Sequence, residues 1–306
     1  MARSNPATDR QDGPTRVRPD RLTPVATPIP MTTCPLDVRL LGRVELSVAG
    51  REIRLVSRSA QTLIAVLALR PRVRTREAVA AEIWPDADGS GTSASLRQAL
   101  WLVRSAFASA GVGLADYLDI DAEVIGFRSC ARLDVDVVRF EAALRDPASG
   151  PEQAIALYQG DLTECLALEC FAVDRERLSD AFEDALAIGA ERRLLAGDLL
   201  GARDAAERLL ARDPLREEAH AVLLRIYGRL GTRSQVIRQY RRVSALLERE
   251  LDVQPLPETE AAYRAALSDA LGRSRVRAAT VAFGGDPIRA ARPSRSDDGI
   301  ASIARP

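Results

Sequence analysis

The hydrophobic pattern of the 306-residue chain changes character along its length. The segments "DVRLLGRVEL" and "REIRLV" alternate apolar and polar positions around the turn "VAGRE", which predicts a β-hairpin. Three helical segments follow. "SAQTLIAVLALR" places Leu63, Ile64 and Leu67 at helical spacing and stops before Pro71. "TREAVAAEIW" starts from an N-cap at Thr75, buries Val79, Ile83 and Trp84, and ends at Pro85. Glu77 stands one position early for a capping box, although an acid there still suits the helix dipole. The third is "TSASLRQALWLVRSAFA", Thr92 to Ala108. Two short runs, "YLDI" and "VIGF", flank Asp121-Ala122-Glu123 as a second hairpin. From Asp134 onward the pattern is helical. "GDLLGARDAAERLLARDP" from Gly197 is echoed 34 residues later by "GTRSQVIRQYRRVSALLE" from Gly231, with Ala206 and Tyr240 in matching places. That is the tetratricopeptide period, and a generic helical bundle is the alternative.

On a 100° wheel, Leu96, Ala99, Leu100, Val103 and Phe107 form the core stripe of the third helix. Arg97, Trp101, Arg104 and Ala108 form an opposite stripe, with Ala94, Gln98 and Ser105 beside it. Arginine forks can grip guanine or phosphate, glutamine can read adenine, and apolar surface can touch a thymine methyl. Small residues at positions 94 and 105 would let a flat partner come close. Ala94, Arg97, Gln98, Trp101, Arg104 and Ser105 are therefore expected to face the major groove of double-stranded DNA. Arg72 and Arg74, in "RPRVRTRE", are expected to add phosphate contacts. The order hairpin, three helices, hairpin is that of a winged helix-turn-helix.

Charge sharpens this division. Formal net charge is zero, yet residues 134–271 carry about −8 while each flanking region is mildly basic. No lysine is present. Residues 1–35 and 272–306 are rich in proline or small polar residues and are expected to be disordered tails. The winged helix is then assigned to 36–133 and an all-α, tetratricopeptide-like domain to 134–271, an α+β chain overall. Cys34, Cys130, Cys165 and Cys170 are scattered, and His220 is the only histidine, so neither metal nor cofactor is expected. The carboxylates of "DRERLSD" and "REEAH" read as helix-surface charge pairs rather than catalytic groups, so no enzymatic activity is expected. No secretory leader or membrane span is visible, which suggests a cytoplasmic protein.

Residues 37–271 resemble the SARP-type bacterial transcriptional activators, an OmpR/PhoB-like winged helix followed by a bacterial transcriptional activator domain. The matching segments include "VRLLGRVELSVAGREIRL", "TREAVAAEIWPD", "ASLRQALWLVRSAF", "RLDVDVVRFEAAL" and a long run from "LLARDPLREEAH" to "ETEAAYRAAL". The resemblance implies binding to promoter-proximal direct repeats, with self-association there, and contact with RNA polymerase. Two positions depart from the family pattern. The wing turn is acidic, and Asp252 replaces the usual glycine after "EL". No phosphate-binding GxxxxGK[ST] loop and no receiver domain are found, so neither an ATPase nor an aspartyl-phosphate switch is expected. The competing reading is a helical-repeat interaction scaffold whose winged helix no longer reads DNA.

Overall fold

The computed structural model describes residues 34–283, apart from Asp88, Ser149, Ala167 and Leu168; at 89–90 and 273–283 it describes the backbone alone. The expected tails at 1–33 and 284–306 lie outside the described residues.

The first strands are β1 (Leu36–Arg39), β2 (Glu45–Val48) and β3 (Arg51–Glu52), an antiparallel meander. Ala49 and Gly50 make the β2–β3 turn with positive φ, as the "VAGRE" reading requires. The fourth strand of this sheet is distant in sequence: β7 (Leu133–Val135) pairs in parallel with β1. The helices of the front half are α1 (Arg58–Leu69), α2 (Arg76–Ile83) and α3 (Gly89–Ser109). A second sheet joins β4 (Arg74–Thr75), β5 (Leu118–Ile120) and β6 (Val124–Phe127) in the order β4-β6-β5.

Local chemistry accounts for these boundaries. Thr75 caps α2 by accepting a hydrogen bond from the Ala78 N–H at 3.2 Å. Pro71 cannot continue α1, and Pro85 ends α2 one residue after Trp84. Leu63, Ile64, Leu67, Val79 and Ile83 are buried as their spacing predicts, whereas Trp84 is only half-buried.

The rear half is helical: α4 (Asp136–Leu144), α5 (Gly150–Leu157), α6 (Ala172–Ala196), α7 (Leu199–Arg212), α8 (Glu217–Arg229), α9 (Arg233–Leu251) and α10 (Pro257–Phe283). The 34-residue echo has a backbone cause. Gly197 ends α6 and Gly231 follows α8, both in the left-handed region at φ 85° and 72°. Glycine adopts that conformation without a Cβ clash, so each marks the same helix-to-helix turn. Asp252 does the same at the end of α9, with φ 56°, so its departure from the family pattern changes a turn residue and not the turn. α10 runs to Phe283, beyond the boundary expected at 271. The stretch "GRSRVRAATVAF" holds strong helix formers and no proline, so nothing in it stops the helix.

One hydrophobic core runs from Leu36 in β1 to Ile226 in α8. Asp136 helps to close it. Its buried carboxylate accepts hydrogen bonds from the backbone N–H groups of Leu40, Leu41 and Val137, at 2.8–2.9 Å. Burial pushes the Asp136 carboxyl up from the usual range, and those hydrogen bonds oppose it.

Candidate nucleic-acid interface

The third helix supplies the side chains of interest, and the core beneath fixes which way they point. Leu96, Ala99, Leu100, Val103 and Phe107 are each no more than 2% exposed, so the burial stripe is the one the wheel predicts. Ala94, Arg97, Gln98, Trp101, Arg104, Ser105 and Ala108 are all exposed. Trp101 is 65% exposed, an unusual position for the largest apolar side chain in the chain. Among the described residues neither Arg97 nor Arg104 has an ion-pair or hydrogen-bond partner. The face thus presents two free guanidinium groups around a solvated indole, flanked by small side chains.

Arg97 also borders a cleft of about 490 Å³ between α2, α3 and the wing. Trp84, Leu96, Arg76 and Ala122 are among its lining residues. The cleft and the outward stripe of α3 are therefore neighbours on one surface.

The wing turn is acidic for a structural reason. Asp121 Oδ1 accepts from the Glu123 and Val124 N–H groups, both at 2.7 Å, closing the turn between β5 and β6. Those hydrogen bonds, Val124's first, hold the carboxyl below its ordinary range. Arg76 ties the wing to α2: its guanidinium donates to the Asp121 carbonyl at 3.0 Å and its N–H to the Glu123 carbonyl at 2.8 Å. Asp119, Asp121 and Glu123 nevertheless stay exposed, so the wing shows carboxylates to solvent.

The two arginines expected to contact phosphate part company. Arg72 is exposed and has no partner among the described residues. Arg74 departs from its expected role. It pairs with Glu82 at 2.6 Å, inside a network in which Arg70 also bridges Glu82 and Asp174, each at 3.1 Å. Its place in β4 turns the fork inward: one terminal nitrogen holds Glu82 and the other is buried without a hydrogen-bond partner, so neither faces a phosphate. Sequence spacing could not separate the two, because Glu82 reaches Arg74 only once α2 is packed.

The remaining candidates are structural. His220 is 1% exposed, with Nε2 3.0 Å from the Pro214 carbonyl and Nδ1 2.6 Å from Gln239 Nε2. In "DRERLSD", Asp174 pairs with Arg70 and Arg177. In "REEAH", Arg216 pairs with Asp184 and Glu217 accepts from the Leu256 N–H. Among the described residues no group of three or more metal-ligating side chains gathers, and no helix is long and apolar enough to cross a membrane.

Comparison with known proteins bears on both halves. Residues 133–267 match the model of the bacterial transcriptional activator domain. The described fold is similar to that of Mycobacterium tuberculosis EmbR, solved in complex with a low-affinity phosphopeptide. The TM-score is 0.60 at 22% sequence identity, over 81% of this chain and 70% of that one. No curated protein matches the sequence. The domain match and the fold together support a transcriptional regulator of the SARP type, a winged helix-turn-helix joined to a tetratricopeptide-like helical domain.

Proposed function

We propose that the chain binds double-stranded DNA by placing α3 in the major groove, and that it regulates transcription from promoter-proximal sites. The observation that carries this reading is the outward stripe of α3, where Arg97 and Arg104 are unpartnered and flank the exposed Trp101. A face evolved only for solvent would not expose an indole, and a packing face would not carry two free guanidinium groups. Ala94, Gln98 and Ser105 lie beside the stripe and can approach base edges, while Arg72 adds a phosphate contact. Arg74 is left out because Glu82 holds it. The rear domain then serves contact with RNA polymerase or with a second copy on a repeated site.

The test is direct. Arg97→Ala and Arg104→Ala remove exposed side chains, so each should leave stability within about 0.5 kcal/mol. On a DNA fragment selected from a random library, each should weaken binding by about 1–3 kcal/mol, and a base-contacting arginine should relax one position of the site. If both variants shift that DNA like the unaltered protein, the groove assignment fails. The scaffold reading, which the exposed wing carboxylates favour, would then stand.

A further inference from the structure

The rear domain handles its arginines in two ways. Between residues 134 and 272, every described arginine outside the first half of α9 has a partner within the fold. Arg177 pairs with Glu141, Arg212 with Asp161 and Arg225 with Glu191; Arg229 donates to the Leu194 carbonyl and Arg208 lies over the Phe182 ring. The others follow the same rule. The exceptions are Arg233, Arg238, Arg241 and Arg242, which are all exposed and have no partner among the described residues.

These four are gathered, not scattered. They lie within about 14 Å along one helix, and no acid occurs in α9 before Glu248. The core face of α9 is Val236, Gln239, Val243 and Leu247. Arg238, Arg241 and Arg242 project from the opposite side, within about 100° of one another. A domain of net charge about −8 has thus left the first half of one helix face cationic, up to Glu248.

We propose that this face of α9 docks an acidic polypeptide segment that also carries apolar side chains. It deepens the function given above by naming a partner surface, and it rests on that reading only for the partner's belonging to the transcription machinery. Charge complementarity fixes the acidity of the partner. Its polypeptide nature follows from the apolar residue that precedes the arginines. Leu230, three residues before Arg233, is 51% exposed. Phosphates gain nothing from exposed leucine, whereas leucine or phenylalanine on a partner would bury it. A duplex is also a poor fit. Its phosphates would extend past the patch over an acidic domain, within about a Debye length of repelling carboxylates.

The test uses the full chain and a fluorescein-labelled peptide of about 18 residues, long enough to run beside α9, with glutamates between terminal leucines. Fluorescence anisotropy should show binding to this peptide and none to its lysine-for-glutamate counterpart. Replacing the leucines by serine should weaken it several-fold. Arg238→Glu combined with Arg241→Glu should lower the affinity by about tenfold or more at unchanged thermal stability. Arg238→Gln with Arg241→Gln should act in the same direction by less, which covers the case in which charge reversal disturbs folding. Mobility shift with library-selected DNA should be unaffected by either pair. Failure of the acidic peptide to bind, or equal affinity in unaltered and reversed chains, overturns the proposal. So does a loss of DNA affinity with peptide affinity unchanged, which would assign the face to nucleic acid. Should the unaltered chain fail to bind DNA yet hold the acidic peptide through α9, the α3 reading falls and this one stands.

Discussion

His220 shows how a residue with apparent chemical potential becomes a packing element. The Gln239 amide donates to Nδ1, leaving Nε2–H to donate to the Pro214 carbonyl, so the site holds a neutral ring. Burial pushes the imidazolium down from the ordinary 6.5 and Arg242 adds to this, while the Pro214 hydrogen bond and Glu217 pull the other way. The unfolded chain therefore binds the proton more readily than the folded one. Stability is full above about pH 6.5 and declines as pH falls from there through the depressed folded value, by at most about 1.4 kcal/mol per pH unit for this group. Urea unfolding at pH 7.5 and 5.5 should show that loss, and His220→Gln should shrink it. An equal loss in both proteins would place the acid sensitivity elsewhere. The sequence alone left His220 as a packing or a surface residue rather than a base or ligand. It could not name Gln239 or Pro214, because α8 and α9 meet only in the folded domain.

At the scale of the element, α3 was legible from Thr92 onward, since a 3.6-residue period assigns each side chain a direction and that stretch carries no breaker; its first turn, with Gly89 and Gly91, was not. The wing was legible as a hairpin but not as to why it is acidic. Asp121 closes the turn through two backbone hydrogen bonds, a role that depends on backbone geometry. Glu123 has no such duty through its side chain and is exposed. On the DNA-binding reading, Glu123→Arg replaces a repelling charge beside the groove by a phosphate partner. Affinity for selected DNA should rise several-fold, and the salt dependence should steepen by about one counterion. A measurement showing neither would mean that the wing stands clear of the duplex. Arg74 marks the converse limit, for a basic cluster in sequence divides into free and paired members only when its acids arrive in space.

At the scale of the whole molecule, the two halves share one sheet and one core. The change from alternating to helical pattern placed a boundary at residues 133–134, and β7 occupies that position, paired with β1 about 97 residues earlier. Such a parallel pairing leaves no local trace in a sequence, because neither strand carries a turn signal pointing to the other. Asp136 lies just beyond and satisfies two N–H groups of the residues after β1. A fragment ending at Arg132 would leave those groups unpaired and β1 with an open edge, so it should be unfolded or aggregated by circular dichroism and gel filtration. In the full chain Asp136→Ala should cost about 3 kcal/mol or more, because several buried donors lose their acceptor at once. A stably folded 34–132 fragment would show that the front half does not depend on the rear.

The central claim is that α3 meets DNA through the stripe centred on Trp101. That indole is 65% exposed, and Trp84, half-buried in the neighbouring cleft, is the only other tryptophan. In a Trp84→Phe protein the emission reports Trp101 alone, and acrylamide quenching reads its accessibility. Quenching should be efficient in the free protein and should fall on addition of library-selected DNA, as the indole packs against the sugar–phosphate backbone or a thymine methyl. Unchanged quenching at a DNA concentration that fully shifts the protein would contradict the claim and move the DNA contact off this helix.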